Sequence, residues 1–419
     1  MTVIRKFLKN SSLLGITEIL NKGFPFIVIL FIIRILGIEI NGQFAASFAL
    51  AGLFTLFTDI GLSTFLVRDI SRDKARAPHY LSHILSLKLL LSLLMLAVGS
   101  VFVYFTKNSS VFFIYFFGLF YTLLDAVNVT VFQAGLRAIN RVPLEAISKL
   151  VRGLTLFAGG LIGVLVFKNI YAVLIGYIGS TVIQLVLNLV FLRKNGVNLQ
   201  FAFKPKLWKQ FLSASSLFFV SHIMFIIYSS IDTVMLSYMK GDAATGLYNS
   251  AYIFYSAAGA MAGILHISVF PLFSQLFMEN KERMAAFHKK VAFITFFLSV
   301  LGAVILAVVA PYILKFIIID ADIVTAVQCL RLLVFGLIFS FQNTVLAALF
   351  NSSHQEKKVF LPVLGGAIIN IVFNVIFIPS FGIIGASAVT VATEALVVLI
   401  MYGRYFLQVR PTFFKIAKP

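Results

Sequence analysis

Apolar residues in this chain gather into stretches long enough to cross a bilayer, roughly 20 residues each, with short polar or basic segments between them. The stretches lie at 12–36, 42–67, 83–106, 111–135, 148–167, 170–192, 213–238, 247–277, 290–314, 329–350, 359–379 and 383–406. This pattern predicts an all-α polytopic membrane protein of about 12 transmembrane helices. The long eighth stretch closes at Pro271 and is expected to include an interfacial turn.

The first half of the pattern is answered by the second. Gly37-Ile38-Glu39-Ile40-Asn41-Gly42-Gln43-Phe44-Ala45-Ala46-Ser47-Phe48 reads Gly-x4-Gly-x-aromatic-x3-aromatic, and Gly241-Asp242-Ala243-Ala244-Thr245-Gly246-Leu247-Tyr248-Asn249-Ser250-Ala251-Tyr252 repeats it. Each copy joins the first apolar stretch of its half to the second. A duplicated six-helix unit is an architecture of secondary transporters. The expected organisation is an N-terminal six-helix lobe with part of the linker over 1–200 and a C-terminal six-helix lobe over 201–419. Their junction is the loop from Arg193 to Gln210. Its segment 204–212 mixes cations with the only Trp, Trp208, and is expected to lie as a surface hinge in the headgroup layer.

Composition agrees with a lipid-solvated chain, since 60% of its 419 residues are hydrophobic and 12% charged, against about 45–50% and about 25% in soluble domains. The formal net charge of +19 raises the question of nucleic acid. Its placement answers otherwise. One side receives Arg5, Lys6 and Lys9; Arg68, Arg72, Lys74 and Arg76; Arg137, Arg141, Lys149 and Arg152; the basic residues of 193–209; Lys281, Arg283, Lys289 and Lys290; Lys357 and Lys358; and the basic C-terminal tail. The other side and its flanks hold Arg34, Lys107, Lys168, Lys240, Lys315 and Arg331, while Lys22 and Lys88 lie inside stretches. The excess of cations on one side puts both termini and the basic loops in the cytoplasm. With six spans in each half, the two units are then parallel repeats about an axis along the membrane normal. The basic charge is topological and lipid-facing, and nucleic acid is not an expected partner.

Other chemistries find little support. The single Cys329 excludes an intrachain disulfide framework and a cysteine metal site. His79 and His83 have a metal-compatible spacing but no third ligand near them, so no metal is expected. No phosphate-cradling loop of the Walker type occurs, which argues against ATP hydrolysis by this chain, and no cofactor is expected. Residues 1–10 lead straight into the first apolar stretch without a small-residue cleavage site, as for a retained first helix.

Several stretches resemble the Wzx-type polysaccharide (O-antigen) flippases of the superfamily that includes the MATE multidrug exporters and the lipid II flippases. They are Arg34-Ile35-Leu36-Gly37 through Gly42-Gln43-Phe44, then Asp59-Ile60-Gly61-Leu62; Ile231-Asp232-Thr233-Val234-Met235-Leu236 continuing to Phe270-Pro271-Leu272-Phe273; and Asn370, Asn374 and Ile378-Pro379-Ser380-Phe381-Gly382-Ile383-Ile384-Gly385-Ala386. The resemblance implies a MATE-like fold with a cavity between two six-helix lobes. It also implies alternating access for a polyprenyl-pyrophosphate-linked oligosaccharide. Twelve spans fit the polysaccharide flippases and drug exporters better than the lipid II flippases, which usually carry fourteen.

Charges at membrane depth cost about 2.5–3.5 kcal/mol each on insertion scales, so each one is a functional candidate. Glu18 and Lys22 are spaced i,i+4 on one helical face, with Pro25 following. They read either as an internal ion pair or as a site where Lys22 offers positive potential to an anionic substrate. Asp125, with Thr122 and Asn128 to either side, reads as a hydrogen-bonded carboxyl group or a proton carrier, and Glu394 is a similar coupling-ion candidate. Asp232 is a cavity candidate, and Asp59 reads as a capping or pairing group. Lys88 and Arg152 are expected to begin cytoplasmic helix ends, where their stems snorkel and help draw in an anionic headgroup. Arg34 and Arg331 belong to outer ends and complete the candidate substrate cavity.

The expected function is a flippase carrying a polyprenyl-pyrophosphate-linked oligosaccharide from the cytoplasmic to the outer leaflet of a bacterial inner membrane. Membrane lipids, a coupling proton or sodium ion and polysaccharide polymerases are the expected partners. The alternative is a MATE-like drug or metabolite cation antiporter. A membrane-embedded polysaccharide polymerase ranks below both, because such an enzyme calls for a large external loop and every outer loop here is short. The topology makes a direct prediction. Single cysteines at Asn108, Asn169, Asp242 and Ser380 react with an impermeant thiol reagent added outside, while cysteines at Asp73, Asn195 and Gln355 do not. Reversal at any one site breaks the twelve-span alternation.

Overall fold

The computed structural model describes residues 2–319 and 322–409, and these form helices and no strand. The α-helices are α1 (Thr2–Phe31), α2 (Ile38–Thr55), α3 (Leu62–Arg72), α4 (Ala77–Thr106), α5 (Ser109–Val127), α6 (Ala134–Ala138), α7 (Val142–Leu165), α8 (Ile170–Lys194), α9 (Pro205–Met239), α10 (Asp242–Glu279), α11 (Lys281–Ile317), α12 (Ile323–Ser352) and α13 (Lys357–Arg404). Among the described residues, nine helical segments are long and apolar enough to cross a membrane. The 18-residue α2, the 35-residue α9 and a second span within α13 account for the rest of the twelve expected.

Helix α13 holds two spans because the chain reverses inside it. Gly382 has φ 56° and ψ −133°, outside the helical range. Residues on either side of it meet again: a Cβ on Gly366 would sit 2.5 Å from Val397 Cγ2, and Arg404 Nη1 donates to the Lys358 carbonyl at 3.5 Å. The α13 helix is therefore a hairpin whose turn is centred on one glycine, the only residue type that enters this conformation without strain.

Both copies of the repeated signature also need glycine. Gly37 (φ 95°, ψ 169°) and Gly241 (φ 83°, ψ −179°) share one conformation and precede α2 and α10. Asn41 N donates to the Gly37 carbonyl and Thr245 N to the Gly241 carbonyl, each at 3.2 Å.

Three expectations are corrected. The second stretch, 42–67, is not one helix: α2 ends at Thr55, and Gly61 (φ 74°) caps α3. Thr55 Oγ1 bonds back to the Gly52 carbonyl at 2.6 Å and Thr58 Oγ1 to the Thr55 carbonyl at 3.0 Å, and such hydroxyls compete with the helical ladder. The eighth stretch has no interfacial turn. Pro271 lies inside the continuous α10, as membrane helices tolerate when neighbouring groups satisfy the freed carbonyl. Trp208 is not at the surface. It is 7% exposed, joins a core with Leu62, Phe65, Leu81 and Leu136, and meets the Phe203 ring at 4.7 Å. The preceding linker is anchored too, since Gln200 N and Ala202 N donate to Ser82 Oγ and Ser86 Oγ on α4.

The chain divides into two compact units, Met1–Val234 and Met235–Pro419, so the division falls within α9. In the first unit, α7 packs on α8 through a Gly-x3-Gly face that brings the backbones into contact. A Cβ on Gly159 would lie 3.0 Å from Gly176 Cα, and one on Gly163 would lie 2.6 Å from Val173 N. In the second unit, α12 packs against α10, α11 and α13. Its first turn is capped by Asp322, which accepts from the hydroxyl and the backbone N–H of Thr325; these bonds hold its carboxyl below the usual carboxylate range.

Backbone cannot yield as a flexible side chain does, so Gly163→Val is expected to lower the thermal stability of the detergent-solubilised protein, with an overpacking cost of about 1–3 kcal/mol. Gly179→Ala, where nothing lies within 4 Å, leaves the melting temperature unchanged or raises it. Equal melting of wild type and Gly163→Val contradicts the close α7–α8 approach.

Candidate functional site

The first unit carries several groups of paired polar side chains on helices that are otherwise apolar. On α5 and α7, Asp125 Oδ2 lies 3.1 Å from Arg152 Nη2, which also donates to the Tyr121 hydroxyl at 2.7 Å. The guanidinium sits 5.9 Å from the centre of the Tyr121 ring, which packs against the rings of Phe48 and Tyr177. Arg152 thus belongs to an ion pair inside the unit, more than to a helix end. Asp125 Oδ1 and Arg152 Nε remain without hydrogen-bond partners among the described residues.

The expected strip Thr122–Asp125–Asn128 is divided among different partners. Thr122 Oγ1 bonds its own helix at the Gly118 carbonyl. Asn128 Nδ2 donates to Gln184 Oε1 at 2.6 Å, Asn188 Nδ2 donates to Asn128 Oδ1 at 2.9 Å, and Gln184 Nε2 reaches Ser148 Oγ at 3.5 Å. Sequence reasoning passed over Gln184 and Asn188. Their i,i+4 spacing on α8, continued by Ser180 and Thr181, is the signal that a polar face was present.

A second charged group forms around Glu145. Glu145 is fully buried on α7, 2.5 Å from Arg137 Nη2 and 3.4 Å from Lys149 Nζ. Lys149 Nζ also lies 3.5 Å from Glu18 Oε2. The i,i+4 ion pair read for Glu18 and Lys22 does not form, because Glu18 turns to α7. Lys22 is exposed and has no ion pair among the described residues.

Lys88 does not snorkel. It is twelve residues into α4 and 0% exposed, and its Nζ donates to Thr58 Oγ1 at 3.1 Å. Asp59, in the break between α2 and α3, acts electrostatically on Lys88 and accepts from Thr130 Oγ1 at 2.9 Å. A buried ammonium is costly unless compensated, and this break supplies the compensating oxygen atoms.

The other candidates are scattered. Arg34 is exposed at the end of the first span, and Asp232 is buried on α9. Arg331 on α12 is exposed, with Nε donating to the Ala307 carbonyl of α11 at 3.1 Å. Glu394 is 6% exposed in the second half of α13 and accepts from Asn343 Nδ2 of α12 at 2.7 Å. Among the described residues no three His, Cys, Asp or Glu groups gather as metal ligands.

A polysaccharide biosynthesis protein family matches residues 7–277, and the MatE family matches residues 218–376. A protein named as an O-antigen transporter from Shigella dysenteriae is 26% identical over 276 residues, 64% of this chain and 67% of that protein. An uncharacterised membrane protein from Methanocaldococcus jannaschii is 24% identical over 279 residues, 65% of this chain but 55% of its own length. Among solved structures, an inward-facing multidrug resistance MATE family transporter matches with TM-score 0.76 and 16% identity, over 95% of this chain and 96% of the other. The lipid II flippase MurJ in an inward closed conformation matches with TM-score 0.75 and 16% identity, over 96% and 89%. The fold is the one these two share. With its matched region spanning more than half of the sequence, the chain belongs to the polysaccharide biosynthesis protein family.

Proposed function

We propose that this transporter flips a polyprenyl-pyrophosphate-linked oligosaccharide from the cytoplasmic to the outer leaflet by alternating access of two six-helix lobes, 1–200 and 201–419. The observation that carries the reading is the pairing of the family match with cations held at membrane depth, Arg152 and Lys88 in the first unit and the exposed Lys22 on α1. The O-antigen transporter relative supports the substrate class. A pyrophosphate diester carries about two negative charges, and an inside-negative potential favours its outward passage by roughly 2.3 kcal/mol per charge per 100 mV. Membrane potential is therefore a sufficient driving force.

Within this reading Lys22 and Arg34 attract the pyrophosphate directly. Arg152 is held in reserve by Asp125. Protonation of Asp125 removes the charge that opposes the guanidinium, so one proton converts a neutral pair into a net cation facing an anionic load. This gives Asp125 a coupling role, with Glu394 and its partner Asn343 as the counterpart candidate in the second unit. The drug-antiporter alternative rests on these same two carboxyl groups, which serve a cationic load equally well.

Transport of prenyl-linked glycan in vesicles, normalised to folded protein, tests the assignment. Lys22→Arg retains much of the activity, Lys22→Ala loses a large part, and Lys22→Glu loses nearly all. Because Glu18 bonds Lys149, the double change Glu18→Ala with Lys22→Ala stays defective; full activity there removes Lys22 from the site. Movement of small organic cations with no glycan transport replaces the flippase reading by the antiporter.

For coupling, Asp125→Asn is expected to leave folded protein abundant while abolishing any dependence of transport on a pH gradient. An unchanged gradient dependence returns Asp125 to a purely structural partner of Arg152.

A further inference from the structure

A lateral cavity of about 870 Å³ opens in the second unit between α11, α12 and the end of α13. Its volume lies within the range of small-molecule sites, about 300–1,000 Å³. The lining changes character along α11. Glu282 and Lys289 stand at the start of the helix, Ala285, Ala286 and Ala292 give a shallow floor, and Phe293, Phe296 and Phe297 follow where the helix becomes apolar. These positions recur at three- and four-residue spacing, so they share one face. The wall opposite carries Ile338 and Phe339 from α12 and Val398 from α13.

Polar groups are set into the same wall. Tyr402 donates to Gln342 Oε1 at 2.6 Å, and Gln342 in turn donates to the Ala292 carbonyl at 3.1 Å. His288 also lines the cavity. It is 3% exposed, and its Nε2 has no hydrogen-bond partner among the described residues. Glu282 and Lys289 are exposed and form no ion pair there either. Two turns separate them, roughly 10 Å of helix rise, and a helical lysine leans toward its own N-terminus, which carries Lys289 toward Glu282.

We propose that this cavity is a binding site for one membrane aminophospholipid, separate from the transported molecule and independent of what that molecule is. The phosphate meets Lys289, the ammonium meets Glu282, and an acyl chain lies over the alanine floor against the phenylalanines. The opposite charges of the rim select a zwitterionic head over a purely anionic one, for which Glu282 is repulsive. The end of the cavity with the buried His288 and the half-buried Tyr402 offers hydrogen bonding at the depth of the lipid ester groups.

Benzoylphenylalanine placed at Phe293, 63% exposed, reads the occupant of the full-length protein in vesicles of equal phosphatidylethanolamine and phosphatidylglycerol. The same probe at Phe105 on α4, 79% exposed, reports the bulk lipid. After illumination, mass spectrometry is expected to find the phosphatidylethanolamine adduct enriched at 293 but in bulk proportion at 105. Glu282→Gln and Lys289→Gln each reduce the enriched adduct by roughly tenfold, as loss of one charge-assisted contact does, without changing the adducts at 105. Bulk lipid proportions at both positions, equal retention of the two lipids in the charge variants, or cross-linking of position 293 to the chain's own residues 410–419 overturns the proposal.

Discussion

Hydrocarbon offers no hydrogen bonds, and most of this fold follows from how its polar side chains are satisfied without water. Arg152 is the plainest case. Its charge is met by Asp125 and its geometry by the Tyr121 hydroxyl, so one residue of α7 fixes two turns of α5. The Asn128–Gln184–Asn188 bonds then tie the helical segment that follows α5 to α8, and Lys149 ties α7 to α1 through Glu18. Each link is inter-helical because a membrane helix has already spent its backbone groups on itself. Interactions of this kind average only about 0.6 kcal/mol in membranes, up to about 1.7. Their contribution is thus to specify which helices are neighbours more than to supply bulk stability.

The apolar contacts follow the same constraint in a different way. Lipid is as apolar as leucine, so helices gain little by burying large side chains and more by close approach. The Gly159–Gly176 and Gly163–Val173 contacts place α7 and α8 backbone to backbone, while large residues such as Phe105 and Phe293 face outward. In a soluble domain a continuous surface of such side chains would drive aggregation. Here it is solvation.

The span count, the reversal near Gly382 and the two glycine-led helix starts at Gly37 and Gly241 were legible in the sequence, because hydropathy and positive-φ glycines act locally. The break after α2 was not. Hydropathy is high on both sides of Asp59, and the helix ends at Thr55, where the Thr55 and Thr58 hydroxyls bond backbone carbonyls and Gly61 takes a φ of 74°. The candidate charges were findable, but their partners were not. Spacing along one helix suggested Glu18 with Lys22, whereas the structure pairs Glu18 with Lys149, 131 residues away. Lys88 read as a snorkelling end residue because the start of α4 was placed at 83, six residues after its observed start at Ala77. Depth in a bundle is a tertiary property, and a few residues of boundary error invert it.

The hairpin of α13 bears on how the chain enters the bilayer. With its reversal centred on Gly382, there is no hydrophilic connection between Phe381 and Ile383 to hold at the far membrane surface while the second half is still being made. The turn is held by a neighbouring cation instead, since Lys240 Nζ donates to the Pro379 carbonyl at 2.7 Å. The two halves of α13 therefore start and finish at one membrane face, and they are expected to insert as a single hairpin.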